Sequence, residues 1–166
     1  MTTSPTGHRP ASAGEPLAQR HRRRIDAQHG RAEASRFLQA GTRTAKVAAV
    51  TAQGRPHVAP VWFTVDGREL VFSTSSRSVK ARNLNHDARV AVTVDDETPP
   101  FAFVSITGHA RLITRPDDFP SWTTRIATRY VGAQRGPELG KLYTEMDDLL
   151  VRVHIDSLTA RADVIG

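Results

Sequence analysis

The chain contains no cysteine, and its 166 residues include only two methionines, two tryptophans, two tyrosines and three lysines. Without cysteine there is no disulfide, no Cys-ligated zinc or iron–sulfur centre and no thiol nucleophile. That composition is compatible with a reducing compartment. No apolar run approaches the roughly 20 residues of a membrane-crossing helix. The first residues carry no apolar stretch resembling a signal peptide, so a cytoplasmic protein with no membrane partner is expected. HExxH, GxSxG, GxGxxG and P-loop patterns are absent, which argues against zinc proteases, α/β-hydrolases and the common dinucleotide and triphosphate sites. No internal repeat is visible.

What is present suits one domain: 39% hydrophobic residues can fill one core, and 24% charged residues are too few for a disordered polyelectrolyte. The formal charge is +6, from 23 cations and 17 anions. All but Lys46, Lys80 and Lys141 of the cations are arginines, which together with the many alanines reads as the coding bias of a high-GC bacterium. The charge is uneven. Residues 1–36 hold seven arginines against Glu15, Asp26 and Glu33, a net of +4, so the remainder is only +2. A basic excess suggests a polyanion. Yet His21-Arg22-Arg23-Arg24 has no aromatic interleaving and no nucleic-acid motif, so it reads as a solvated extension.

Residues 1–30 are therefore expected to form a flexible basic extension, partly helical, ahead of a domain over 31–166. Glu15–Gln39 is rich in helix formers, with Gly30 as a break and Gly41 as a stop. The period then changes. Thr44–Thr51, Pro56–Val65 and Glu69–Thr74 read as strands, with turns at Gln53-Gly54-Arg55 and Asp66-Gly67. A short helix over Ser78–Asn85 precedes strands at Ala88–Asp95 and Phe101–Thr114, the latter with a bulge or bend expected at Gly108. Helices are expected at Phe119–Val131 and Pro137–Tyr143, a sixth strand at Leu149–Ile155 and a last edge strand at Leu158–Ile165. Asp95-Asp96-Glu97 reads as a solvated turn. Turn-linked strands with late helices describe a mainly β protein with added helices. A small, partly open barrel of six or so antiparallel strands is the expected form.

Two stretches carry chemical interest. In Val71–Leu84 a strand ends in Ser73-Thr74-Ser75-Ser76 and a helix starts near Ser78, with Arg77, Lys80 and Arg82 close by. Hydroxyls, cations and free N–H groups at a helix start make a phosphate site. The same residue types also describe a Ser-rich cap with solvated charges. In Pro56–Phe63, Pro60 lacks an N–H donor, which places its strand at an edge or distorts it. Trp62 suits a flat aromatic ligand, but packing alone favours Val61 and Phe63 facing the core with Trp62 at an interface. The histidines His57, His86, His109 and His154 show no ligand spacing, so no metal is expected.

The ordered set of features resembles a known family. Val47-Ala48-Ala49-Val50-Thr51 and a Gly turn precede Pro56-His57-Val58-Ala59-Pro60-Val61-Trp62-Phe63 and Asp66-Gly67. Phe72-Ser73-Thr74, Lys80-Ala81-Arg82-Asn83-Leu84, Asp87-Ala88-Arg89-Val90-Ala91, Arg129-Tyr130-Val131-Gly132 and Leu150-Val151-Arg152-Val153 follow. The order is similar to that of the flavin and deazaflavin oxidoreductases related to pyridoxamine 5′-phosphate oxidase, most of all their actinobacterial branch that uses coenzyme F420. The resemblance implies a split β-barrel and a homodimer with two cofactor sites at the subunit interface. It implies that the strand holding Pro60, Val61 and Trp62 runs under the ring system, and that Ser73, Thr74, Arg77, Ser78, Lys80 and Asn83 anchor the phosphate, with Arg82 as a further cation. It implies hydride transfer between F420 and a small unsaturated substrate, with no catalytic acid required of the protein. Trp122 and Tyr130 are candidates to cap the substrate side, or simply helix-packing residues. Val79-Lys80 stands where the phosphate oxidases carry an Arg-Lys pair, so one cation is missing. Their C-terminal substrate segment is not recognisable either. FMN is the alternative cofactor, and a non-catalytic carrier of a flavin-like or tetrapyrrole ligand is a further alternative.

Overall fold

A computed structural model of the protein describes residues 27–162. Helix α1 (Ala27–Gln39) is followed by strands β1 (Ala45–Val50), β2 (Pro56–Val61), β3 (Thr64–Asp66) and β4 (Glu69–Ser75). Helix α2 (Val79–His86), strands β5 (Arg89–Asp96) and β6 (Ala102–Ile113), helix α3 (Phe119–Glu145) and strand β7 (Asp148–Arg161) complete the chain. The seven strands form one antiparallel sheet in the order β2-β1-β5-β6-β7-β4-β3.

The two edges of this sheet are consecutive in sequence. Only Trp62 and Phe63 separate β2 from β3, and two residues span at most about 10 Å between their neighbours. The sheet must therefore curl until its edges meet, which makes it a split barrel. The residue pattern predicts one continuous strand over Pro56–Val65. The structure divides it, because Pro60 cannot donate to a further strand and the chain leaves the edge two residues later. The expectation that Pro60 marks an edge strand holds.

Alternation sends one face of each strand inward. Val47, Val92, Val94, Ile106, Val151, Val153, Leu70 and Phe72 fill the barrel with Val61, Phe63 and Val65. Ala34 and Leu38 of α1 and Ala81 and Leu84 of α2 join that core. Gly30 does not break α1: the helix runs through it, since an isolated glycine is tolerated where buried residues such as Ala34 and Leu38 hold the helix. The earlier stretch, Glu15–Asp26, lies outside the described residues.

At Gly108 the β6–β7 register shifts by one residue, and a Cβ there would overlap the His154 carbonyl. The expected irregularity is thus a bulge where two backbones approach closely. The expected last strand at Leu158 is instead the continuation of β7 as far as Arg161, paired to β6. Asp95 and Asp96 are not a solvated turn. They end β5, where Lys46 and Arg43 pair with them at 2.6 Å each.

Helix α3 is a hairpin. Gly132 (φ 82°, ψ 168°) reverses the chain, Gly136 lies on Thr128 and Gly140 on Thr124, and the hydroxyls of Thr123 and Thr144 meet at 3.1 Å. The two helices expected from sequence are its two arms. The hairpin packs on β3, β4 and β7, where Phe119 covers Val71 and Leu150 with Ile113 and Trp122 beside them. That second layer buries both faces of the middle of β4 and of the first residues of β7. No described helix is long and apolar enough to cross a membrane.

Candidate functional site

The hydroxyl-rich stretch forms the end of β4 and the start of α2. Ser78 is the N-cap: its Oγ accepts from the Ala81 N–H at 3.0 Å and sits 3.1 Å from Thr74 Oγ1. This is the ordinary capping role of serine. It does not exhaust the donors. Lys80 and Asn83 stand three residues apart on α2, on one face of the helix. Lys80 is half-buried and makes no hydrogen bond or ion pair among the described residues. Burial lowers its pKa, partly opposed by the charge of Asp148. Asn83 is 6% exposed, and its Nδ2 has no hydrogen-bond partner among the described residues. A buried amide without an acceptor is costly, and a half-buried ammonium beside it has the same need. Together with the Thr74–Ser78 hydroxyl pair they form a donor set that fits a phosphate.

Arg77 and Arg82 differ from Lys80 in being exposed. Arg77 pairs with Asp147 at 3.4 Å, and Arg82 donates to the Arg77 carbonyl at 2.5 Å. Asp147 is held further by the Ser76 hydroxyl at 2.6 Å. Asp148 is a carboxylate only 9% exposed, and burial pushes its pKa above the usual carboxylate range. No local signal in the sequence singles out Asp148. Only the β4–β7 ladder, which sets Asp148 opposite Ser75, brings it to this place.

Pro60, Val61 and Trp62 lie on the other sheet edge, and α2 packs against β2 as well as β4, so the helix bridges the two stretches. Val61 and Phe63 enter the core, as packing favoured. Trp62 turns to α3: its ring stacks on Tyr130 (4.7 Å, 1° between planes) and meets Tyr143 edge-on at 6.5 Å. The Tyr130 hydroxyl donates to the Arg43 carbonyl at 2.8 Å and accepts from the Phe63 N–H at 3.2 Å. Burial raises its pKa. Arg129 donates to the carbonyls of Leu38, Gly41 and Phe63 at 2.7, 3.0 and 3.0 Å. The Trp62-Phe63 link is therefore gripped from α3. Trp122 does not join this cluster. Its Nε1 donates to Asp118 at 2.6 Å, and its ring lies against Arg125 and Arg152.

Elsewhere several charges satisfy one another. A groove of about 410 Å³ lined by residues 41–44, Lys46 and 95–98 contains the Arg43–Asp96 and Lys46–Asp95 pairs. Arg152 binds Glu69 at 2.5 Å and also Asp66. His109 and His154 face each other across β6 and β7, with His109 paired to Asp156 at 2.5 Å. Among the described residues no group of His, Asp and Glu suits a metal ion.

The fold has counterparts of known structure. A conserved hypothetical protein from Mycobacterium tuberculosis superposes with a TM-score of 0.69 at 25% identity, over 80% of this chain and 84% of that one. An F420 reductase gives 0.61 at 24% identity, over 75% and 94% of the two chains. A heme-storage protein from Vibrio cholerae gives 0.61 at 19%, over 77% and 89%. No curated protein matches the chain in sequence. The sequence profile of the family described as pyridoxamine 5′-phosphate oxidase matches residues 31–152, from within α1 through β7 to Arg152. Barrel, α2 cradle and most of the chain fall inside that match, and the protein belongs to the pyridoxamine 5′-phosphate oxidase family.

Proposed function

We propose that this protein is an oxidoreductase that works as a homodimer on a small unsaturated organic substrate with coenzyme F420. When bound, the deazaflavin supplies the hydride chemistry; the protein binds it, orients it and excludes water. The observation that carries the reading is the pair of unanswered donors, Lys80 Nζ and Asn83 Nδ2, on one face of α2. With Thr74 and Ser78 they are the groups that would hold the phosphate. Arg77 and Arg82, exposed at the rim, suit the anionic glutamate tail. Pro60, Val61 and Trp62 are the stretch assigned to the ring system, and the grip of Arg129 and Tyr130 on Phe63 keeps that stretch in place.

Two further observations support the reading. An F420 reductase shares the fold. The outer face of the sheet carries a row of small or apolar residues that suits a second copy of the chain: Val58, Ala48, Ala91 and Thr107 stand opposite one another across β2, β1, β5 and β6, and Val58 is 63% exposed.

Titration of the purified protein with F420, FMN, FAD and hemin, followed by fluorescence and absorbance, tests this. Micromolar F420 binding with FMN excluded is the expected result. A co-purifying, oxygen-reactive yellow flavin would replace F420 with FMN. Hemin binding without turnover of any substrate would make the protein a carrier.

A further inference from the structure

We infer that Asp147 is a positioning residue of the cradle: its carbonyl and carboxylate hold Ser76, and through Ser76 they fix the turn that sets Lys80 and Asn83 against the ligand. This inference rests on the assignment of Lys80 and Asn83 to a phosphate.

The starting observation is where the donors of Ser76 go. Strand β4 ends at Ser75 and α2 begins at Val79, so residues 76–78 set the direction in which the helix leaves the sheet. The neighbours of Ser76 close the turn on itself. The Ser78 N–H donates to the Ser75 carbonyl at 3.0 Å, and the Arg77 N–H to the Ser75 hydroxyl at 3.3 Å. Ser76 instead turns both donors outward, to one residue. Its N–H donates to the Asp147 carbonyl at 2.9 Å and its hydroxyl to the Asp147 carboxylate at 2.6 Å. The first bond extends the β4–β7 ladder one step past its last pair, Ser75 and Asp148. The second is charge-assisted and ties down the side chain.

Asp147 is itself held. It follows Met146, the end of α3, whose carbonyl accepts from the Arg115 guanidinium at 2.5 Å. Arg115 lies between β6 and α3 at φ 41°, so both ends of the hairpin are tied beside the turn. Arg129 and Tyr130 of the same hairpin grip the Trp62-Phe63 link. One element thus holds the ring stretch from its first arm and the cradle turn from its end. The Asp147 side chain is mostly exposed, and so is that of Arg77, its partner at 3.4 Å. An ion pair at that exposure is worth little, which leaves the hold on Ser76 as the work of this carboxylate.

Ser76 stands two residues before the N-cap Ser78, whose Oγ is already engaged with the Ala81 N–H and Thr74. A turn released from Asp147 would swing α2 about that cap and carry Lys80 and Asn83 with it. A phosphate that accepts from both tolerates little displacement, because hydrogen bonds weaken steeply with distance and angle.

The test measures F420 affinity by fluorescence titration in wild-type protein, Asp147→Ala, Asp147→Asn and Ser76→Ala. Charge and position act with opposite signs. Removing a carboxylate near an anion site raises affinity by charge alone, so a fall reports position. Asp147→Ala and Ser76→Ala are each expected to weaken F420 about fivefold, within the roughly tenfold that one charge-assisted hydrogen bond is worth. Asp147→Asn loses the same charge but keeps an oxygen for the Ser76 hydroxyl, and should stay within about twofold of wild type. Affinity for the deazaflavin riboside, which has the ring system but no phosphate, should stay within about twofold in all three variants. Like changes in Asp147→Ala and Asp147→Asn, in either direction, overturn the inference. An equal loss for the riboside does so too, since it marks a general loosening of the fold. Ser76→Ala, an exposed and uncharged change, keeps the test open should Asp147→Ala not fold: unchanged F420 affinity there overturns the inference by itself. Lys80→Ala separates this inference from the reading beneath it. If Lys80→Ala leaves F420 affinity unchanged, the phosphate cradle itself is misassigned; if affinity falls there but not in Asp147→Ala and Ser76→Ala, only the role of Asp147 fails.

Discussion

The rings of Trp62 and Tyr130 lie parallel, 4.7 Å apart with 1° between their planes, while the Tyr130 hydroxyl bridges the Phe63 N–H and the Arg43 carbonyl. One side chain of the helical hairpin thus fixes both the aromatic face and the backbone of the two-residue link where the barrel edges meet. Parallel stacking adds about 1 kcal/mol to the area buried, but the hydroxyl decides the position.

Tyr130→Phe should keep the stack and lose the bridge. The Phe63 N–H then loses its only acceptor among those described, and unfolding free energy should drop by about 1–2 kcal/mol in urea denaturation. Arg129→Ala should cost more, about 2–4 kcal/mol, because three backbone carbonyls lose a charged donor at once. An Arg129→Ala protein as stable as wild type would show that the hairpin does not hold the link.

Lys80 and Arg77 should separate in cofactor binding. Lys80→Ala is expected to weaken F420 at least tenfold, since the half-buried ammonium is otherwise unanswered. Arg77→Ala is expected to change affinity by less than threefold, because its side chain is 89% exposed and already paired with Asp147. Both variants should melt within a few degrees of wild type, and the comparison is made by fluorescence titration at fixed salt.

Asp148 gives a sign for the pH dependence of stability. Its folded-state pKa lies above the unfolded value, so the native state holds the proton more tightly. Stability is therefore greatest below the usual carboxylate pKa and falls as pH rises towards the folded value. Asp148→Asn should remove that fall and leave the protein at least as stable as wild type at neutral pH. Melting temperatures of the two proteins across the acid-to-neutral range check this; a wild-type curve that rises through this range because of Asp148 would reverse the assignment. Asp87 behaves oppositely. Arg89 lowers its pKa to about 2, so its contribution is present at neutral pH and is lost only as acid approaches that value.

Two glycines should resist substitution for different reasons. Gly132→Ala places a Cβ on a residue at φ 82° and ψ 168°, a region essentially reserved for glycine, at a cost of about 1–3 kcal/mol. Gly108→Ala meets the His154 carbonyl with an ordinary backbone conformation, so its penalty is steric, and it should spread along the β6–β7 ladder. Amide exchange around His154 and Ile155 distinguishes the two: faster in Gly108→Ala, unchanged in Gly132→Ala.

Several elements follow from the sequence because their causes are local. The strands expected over residues 44–51, 88–95 and 101–114, the Asp66-Gly67 turn and the Ser78 cap need only near neighbours, and the strands are found within a residue of those bounds, at 45–50, 89–96 and 102–113. The hydroxyl and cation stretch from Ser73 to Asn83 is legible for the same reason: strand end, cap and helix face lie within eleven residues. Tertiary structure decided what depends on partners far along the chain. Residues 56–65 could not be divided between two sheet edges from their own pattern, since the division is set by pairing with β1 and β4. Trp62 could be a ligand face or a packing face until Tyr130, 68 positions later, took one side of it. Nothing local marks Asp148; the β4–β7 register sets it opposite Ser75, where it is buried. Residue type fixes which groups can donate or accept within a turn or a strand, but which donors are left unanswered depends on long-range register, and that is where the cradle was defined.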